Sequence, residues 1–316
     1  DETDRIGIRI RKIKAMKRSI RIGTRDSALA LWQANKVAKL LEKYNQSNVL
    51  HPVKSEGDLN LVQPIYQMGI SGVFTRGLDA ALLRGEIDIA VHSMKDVPTA
   101  LAEGLEIVAV LKRGATEDVI VKSPSSGETL VATGSLRRKA QWLRHNPNHS
   151  IIGLRGNVQT RLNKVYTNPW LGGIFALAGL ERLEIKDLEV EVLDWMLPAP
   201  AQGAIVVVAK SDRNDLIEAL ALINHTNTAL EVQLEREFLR QLEGGCSSPI
   251  GAIAKVNGEE VVFKGGLFSL DGSKAVTIEK LTSRSNAVSD VALWVDEVLK
   301  SGGEEILKEL RDGKNS

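Results

Sequence analysis

The sequence predicts an α/β protein that ends in a small α+β domain. Three observations carry this expectation. Short apolar strands alternate with amphipathic helices as far as residue 222. After residue 226 the pattern changes to a long helix, a run of strands and a closing helix. The length, 316 residues, suits two or three domains.

The elements follow in order. Residues 20–23 read as a strand, and Ser27 caps a helix whose apolar face is Leu29, Trp32, Ala34, Val37, Leu40 and Leu41. A helix is expected over 74–83, then a strand over 87–91 that ends at a polar turn. Further strands are expected near 107–111, 119–122, 130–133, 151–154, 174–178 and 204–209, with helices between. Thr228 and Glu231 read as a capping box, opening a helix through Leu230, Leu234, Phe238 and Leu242. Strands near 250–256, 261–268 and 275–279 follow, the last two joined through Asp271-Gly272, and 286–299 closes as a helix. Before all of this, residues 1–18 are expected to be a mobile extension. Its basic residues alternate with isoleucines without the apolar core of a signal peptide. Met16 reads as a natural start, and Asp1, Glu2 and Asp4 argue against a transit-peptide remnant.

Charge and cysteine usage narrow the function. With 41 basic against 40 acidic residues, the formal charge is +1, too balanced for a general nucleic-acid binder. No apolar run approaches the ~20 residues of a membrane span. Cys246 is the only cysteine, which excludes an internal disulfide and fits a reducing, cytoplasmic setting. It sits in Glu243-Gly244-Gly245-Cys246-Ser247-Ser248-Pro249, a glycine-rich turn. Either it is a small buried hydrophobe, or its sulfur is an attachment point or nucleophile. His51, His92, His145, His149 and His225 lack metal-ligand spacing, so no metal is expected. His92 itself reads as structural.

Three arginine clusters fall at strand-to-helix junctions. They are Thr24-Arg25-Asp26-Ser27, Thr133-Gly134-Ser135-Leu136-Arg137-Arg138 and Leu154-Arg155-Gly156-Asn157 with Thr160-Arg161. Helix N-termini offer free N–H groups, and guanidinium forks add charge. One such cluster could be a solvated helix start; three together predict a ligand with several negative groups. The loop His92-Ser93-Met94-Lys95-Asp96-Val97-Pro98 presents a carboxylate, Asp96, either to cap the turn or to meet a substrate N–H or a developing cation. Residues 67–74 read as a lid or a plain connector, and 196–204 as a hinge or a Pro-rich loop.

These segments together resemble the porphobilinogen deaminase (hydroxymethylbilane synthase) family. The matching stretches run from Arg21 to the closing helix. They include 21–25 with 31–34, 90–99, 134–138, 154–158 with Thr160-Arg161, 178–180 with Arg182-Leu183, 197–200 with Gln202-Gly203-Ala204, and 243–246 with 249–251. The resemblance implies two periplasmic-binding-protein-like α/β domains plus a small C-terminal α+β domain with an antiparallel sheet. Domain 1 would be 19–112 and 200–224, domain 2 would be 113–199, and domain 3, 225–316, would carry the cofactor. It implies a dipyrromethane cofactor held by Cys246 through a thioether, with Ser93, Lys95, Asp96, Thr133, Ser135, Arg137, Arg138 and Arg155 around it. Porphobilinogen would be the substrate, met by Arg25, Ser27, Gln33, Phe74, Arg161, Arg182 and Gln202. Four substrate molecules would be deaminated and joined head to tail, then released by hydrolysis as hydroxymethylbilane. Asp96 would be the catalytic carboxylate, and the enzyme a monomer. Three departures stand out. Ser71 occupies the place of a usual lysine in 69–74, Ala201 replaces a usual glycine, and Ser247-Ser248 replaces a polar-Val pair. A non-catalytic small-anion-binding protein would also explain the arginines, but gives Cys246 no purpose. A cysteine hydrolase would need a base brought to the thiol by folding.

Overall fold

The computed structural model describes residues 18–53, 75–125, 129–242 and 248–312. Residues 1–17 of the expected extension, the glycine-flanked stretch with Phe74, and the segment 243–247 with Cys246 lie outside the described residues; Arg18, the last residue of that extension, is not loose but donates to Asp88 at 2.8 Å.

The first strands are β1 (Ile20–Thr24), β2 (Asn48–Pro52), β3 (Ile89–Ser93) and β4 (Leu105–Val110). Next come β5 (Asp118–Lys122), β6 (Leu130–Ala132), β7 (Ser150–Ile152), β8 (Gly172–Ala176) and β9 (Val190–Val192). The chain returns through β10 (Ile205–Lys210) and ends with β11 (Ile250–Asn257), β12 (Glu260–Phe268) and β13 (Ala275–Ser283). The helices are α1 (Ala28–Lys43), α2 (Arg76–Leu83), α3 (Leu136–His145), α4 (Val158–Thr167), α5 (Leu177–Arg182), α6 (Asn214–Leu220), α7 (Thr226–Gln241), α8 (Ala287–Val298) and α9 (Glu304–Asp312).

Two compact units result. The described part of the first is 18–53, 75–112 and 204–229. Its sheet has the order β2-β1-β3-β10-β4. β1 runs parallel to β2 and β3, whereas β10 is antiparallel to both β3 and β4. β10 reads Ile-Val-Val-Val-Ala because both its faces are covered. Val207 joins Ile20, Val37, Leu41, Ile89 and Leu216 on the α1 side, while Val208 packs with Leu78, Leu82 and Ala90 on the α2 side.

The described part of the second unit is 113–125, 129–203, 230–242 and 248–312. Its larger sheet, β7-β6-β8-β5-β9, repeats the arrangement: β6 is parallel to β7 and β8, and β5 is antiparallel to β8 and β9. The smaller sheet, β11-β12-β13, is antiparallel throughout. Phe263 at its centre stacks on Trp294 of α8 at 4.6 Å and meets Phe238 of α7 edge-on at 5.1 Å. The expected fold class is therefore present: two mixed α/β sheets and a small antiparallel sheet.

Local departures have physical causes. The expected capping box does not form. α7 begins at Thr226, and His225 caps it, its Nδ1 accepting from Thr228 N at 3.2 Å. Glu231 instead accepts from Val256 N at 3.1 Å. His225 N is already fixed by Val110 O at 2.8 Å, which sets the start of the helix three residues early. β2 and β9 have no sequence expectation, since both are short edge strands with exposed side chains. α9, also unexpected, follows α8 across a kink at Gly302, φ +110°. The Asp271-Gly272 turn is as expected, with Asp271 accepting from Ser273 N at 3.0 Å.

Candidate functional site

In the first unit, the pairs Ile22↔Ile89 and Gly23↔Ala90 bring the carboxyl ends of β1 and β3 side by side, where α/β sheets collect ligands. Thr24-Arg25 leaves β1, and Ser27 caps α1 by accepting from Ala30 N. After β3 the chain makes one 3₁₀ turn, Met94–Asp96. Met94 N is held by Ala204 O at 3.0 Å, and Val97 is extended before Pro98. Arg25, Ser27, Gln33, His92, Ser93 and Asp96 thus line one pocket of about 50 Å³. Gln33 Nε2 donates to Ser93 Oγ at 2.7 Å, bridging α1 and β3. Asp96 and its neighbour Lys95 are half-buried on the turn.

In the second unit the centre is a residue without a sequence expectation. Asp118, fully buried at the start of β5, meets Arg137 and Arg138 from the first turn of α3. Arg138 Nε and Nη2 donate to Asp118 Oδ1 at 3.0 and 2.7 Å, and Arg137 Nη1 forms an ion pair with Oδ2 at 2.7 Å. Gln202 Nε2 donates to the same Oδ1 at 3.0 Å and to Thr116 O at 2.7 Å. Burial opposes the charge on Asp118, but the two guanidiniums outweigh it and hold the carboxyl well below its usual range. Ser135 caps α3 by accepting from Arg138 N, and Thr133 Oγ1 accepts from Ser135 N at 3.2 Å. Gly134 is required between them: a Cβ there would lie 2.6 Å from Leu154 O.

Asn157 caps α4, accepting from Thr160 N at 2.9 Å, and α4 carries Arg161 over the Phe175 ring at 5.5 Å. Arg155, half-buried after β7, makes no side-chain ion pair among the described residues, and burial lowers its pKa. Arg182 ends α5, with Nη2 donating to Gly203 O at 2.6 Å; burial pulls it down to about 10.

The stretch 197–203 is pinned rather than free. Leu197 N and O both bond the Gln141 side chain, at 2.8 and 2.9 Å, and Arg137 also donates to Leu197 O at 2.6 Å. Pro198 O accepts from Ala252 N at 3.0 Å. Glu235 of α7, fully buried, accepts from Ala201 N, from Ala254 N and from both Nη atoms of Arg113 at 2.6–2.8 Å. Ala201 has φ +63°, which accounts for the glycine expected there.

The expected site residues therefore gather in two sets. Arg25, Ser27, Gln33, Ser93, Lys95 and Asp96 share the first unit; Thr133, Ser135, Arg137, Arg138, Arg155, Arg161, Arg182 and Gln202 share the second. Cys246 and Phe74 fall outside the described residues. Asp118 and Glu235 have no signature in the sequence, because a single Asp or Glu beside a strand or on a helix carries no spacing signal. Among the described residues there is no metal-type cluster and no helix long and apolar enough to cross a membrane.

Residues 20–218 match the family model described as porphobilinogen deaminase, dipyromethane cofactor binding domain. Residues 229–299 match that for the porphobilinogen deaminase C-terminal domain. A porphobilinogen deaminase of Desulfitobacterium hafniense is 41% identical over 303 residues, covering 93% of this chain and 98% of that one. Another, of Trichlorobacter lovleyi, is 40% identical over 300 residues, covering 92% and 96%. Among solved structures, an ancestral cationic amino acid solute binding protein matches at a TM-score of 0.41 and 10% identity, covering 75% of this chain and 94% of that one. With the family models spanning both the arginine-bearing sheets and the C-terminal sheet, the chain belongs to the porphobilinogen deaminase family.

Proposed function

We propose that the chain condenses four porphobilinogen molecules head to tail, releasing ammonia, on a dipyrromethane tethered to Cys246, and frees the product by hydrolysis as hydroxymethylbilane. The observation that carries this reading is the donor set in each unit. Arg25 and the Ser27-capped helix share a pocket with Asp96, while Arg155, a half-buried guanidinium, has no ion pair among the described residues. A cation held partly out of water without a counter-ion favours a carboxylate ligand, and every ring of this substrate and cofactor carries an acetate and a propionate.

The donor chemistry fits the cofactor. Thr133, Ser135, Arg137, Arg138 and Arg155 would hold its acidic side chains, and Ser93, Lys95 and Asp96 would also serve it. When bound, it supplies the free pyrrole carbon on which the chain grows. Arg137 and Arg138 approach that task already oriented by Asp118, so little side-chain entropy is left to lose. Arg25, Ser27, Gln33, Arg161, Arg182, Gln202 and Phe74 would meet the substrate. Each charge-assisted bond contributes about 1.5–3 kcal/mol when desolvated. Asp96 would accept from pyrrole N–H groups and offset positive charge on the substrate ring as ammonia departs. The three domains would divide at 19–112 with 200–224, 113–199, and 225–316, the protein acting as a cytoplasmic monomer that binds no nucleic acid.

Intact mass tests the tether. The protein from cells with a working tetrapyrrole pathway should exceed the mass of its polypeptide by one dipyrromethane unit, and Cys246→Ser should not. A fully loaded, active Cys246→Ser protein overturns the assignment. The anion-binding alternative predicts no adduct and no ammonia release from porphobilinogen.

A further inference from the structure

His92 lies on β3, where it pairs with Val206 of the return strand. It lines the pocket that holds Arg25, Ser27, Gln33, Ser93 and Asp96. Only 6% of the residue is exposed, and its Nε2 is buried without a hydrogen-bond partner among the described residues. A buried polar atom left unpaired is costly, and folded proteins keep few of them without a reason. Its neighbours are engaged: Gln33 Nε2 donates to Ser93, and Ser27 Oγ accepts from Ala30 N. A purely structural histidine would direct Nε2 at a protein group, and this one does not.

The surroundings select the form of the ring. Burial first, and then the Arg25 charge, push the His92 pKa down to about 4. The imidazole is therefore neutral near pH 7, with one N–H and one acceptor nitrogen. The pocket holds one cation, Arg25, and one anion, Asp96, so an incoming carboxylate is neutralised on the Arg25 side and has lone pairs left for neutral donors. We propose that His92 is a further substrate-binding residue, its Nε2–H donating to the porphobilinogen carboxylate that Arg25 neutralises. The inference rests on the reading of this pocket as the substrate site. The neutral ring adds direction without a second buried cation, while the Arg25 charge selects the acid over its amide or ester.

Steady-state kinetics of the cofactor-loaded, full-length protein test this, using porphobilinogen with the wild type, His92→Leu, His92→Gln and Arg25→Leu. Loss of one hydrogen bond to a charged group should raise KM about ten- to a hundredfold in His92→Leu, with kcat within about twofold. His92→Gln, which keeps an N–H at similar reach, should recover most of the loss. With ¹⁵N-labelled histidine rings, the pyrrole diacid that lacks the aminomethyl group should shift the His92 resonance, and its diamide should not. That signal, together with His92→Gln, decides the matter if His92→Leu fails to fold. An unchanged KM in His92→Leu, no recovery in His92→Gln, or no His92 shift at saturating diacid overturns the proposal. Arg25→Leu separates the two failures. A raised KM there with none in His92→Leu removes only His92, whereas an unchanged KM in both removes the pocket as the substrate site.

Discussion

Two residues show how side chains are fixed before any ligand arrives. Asp118 gathers Arg137, Arg138 and Gln202 on one carboxylate, so their donors are aimed by the protein. Ala201 sits at φ +63°, where a Cβ crowds the following carbonyl at a cost of about 1–2 kcal/mol. Ala201→Gly should remove that strain and, after the added freedom of the unfolded chain, stabilise by about 0.5–1 kcal/mol, read as a higher urea midpoint at unchanged slope. His92 sets an acid limit. Its pKa falls from an ordinary 6.5 to about 4 in the folded protein, so between those values the unfolded chain binds the extra proton. Stability is therefore lost as pH falls from about 6.5 towards 4, by about 2–3 kcal/mol for this group. Unfolding free energy measured against pH should show that loss in the wild type, and His92→Gln should flatten it.

At the scale of elements, the return crossing 197–203 is a junction held from several sides. α3 grips it through Gln141 and Arg137, β11 through Ala252, and α7 through Glu235. Gly203 completes it with φ +81°; a Cβ there would lie 2.3 Å from Ala115 O. Glu235 is decisive because both its oxygens are used and its partner Arg113 is nearly buried. Glu235→Gln would leave that guanidinium without a full counter-charge and should cost about 3–5 kcal/mol. A denaturant midpoint equal to that of the wild type would show that the network does not stabilise the crossing. The same anchors tie α7 to Arg113, to the 197–203 stretch and to β11.

At the scale of the whole molecule, one sheet order is built twice, each time with an antiparallel strand inserted between its neighbours. This arrangement leaves the carboxyl ends of β1 and β3 in one unit, and of β6 and β7 in the other, open to ligands. On the proposed reading, Asp96 acts on chemistry alone, because it is half-buried on a turn held by backbone bonds. Asp96→Ala should keep the wild-type thermal midpoint to within a few degrees while losing turnover of porphobilinogen. Near-normal hydroxymethylbilane formation would remove Asp96 from that role.

Much of this was legible beforehand, because periodicity and caps are local. Ser27 announces its helix, alternation of strands and helices announces the α/β class, and the arginine clusters mark the strand ends. Local pattern also misled: Thr228 and Glu231 have the form of a capping box, yet His225, anchored to Val110 from far along the chain, claims the helix start. Asp118, Glu235 and the unpaired nitrogen of His92 needed coordinates, since burial and partnership arise from residues distant in sequence. Sequence by itself determined the family, the elements and the kinds of charge at the strand ends. Tertiary structure alone decided which of those charges are neutralised internally and which face a pocket, because an ion pair depends on distance through space rather than separation along the chain.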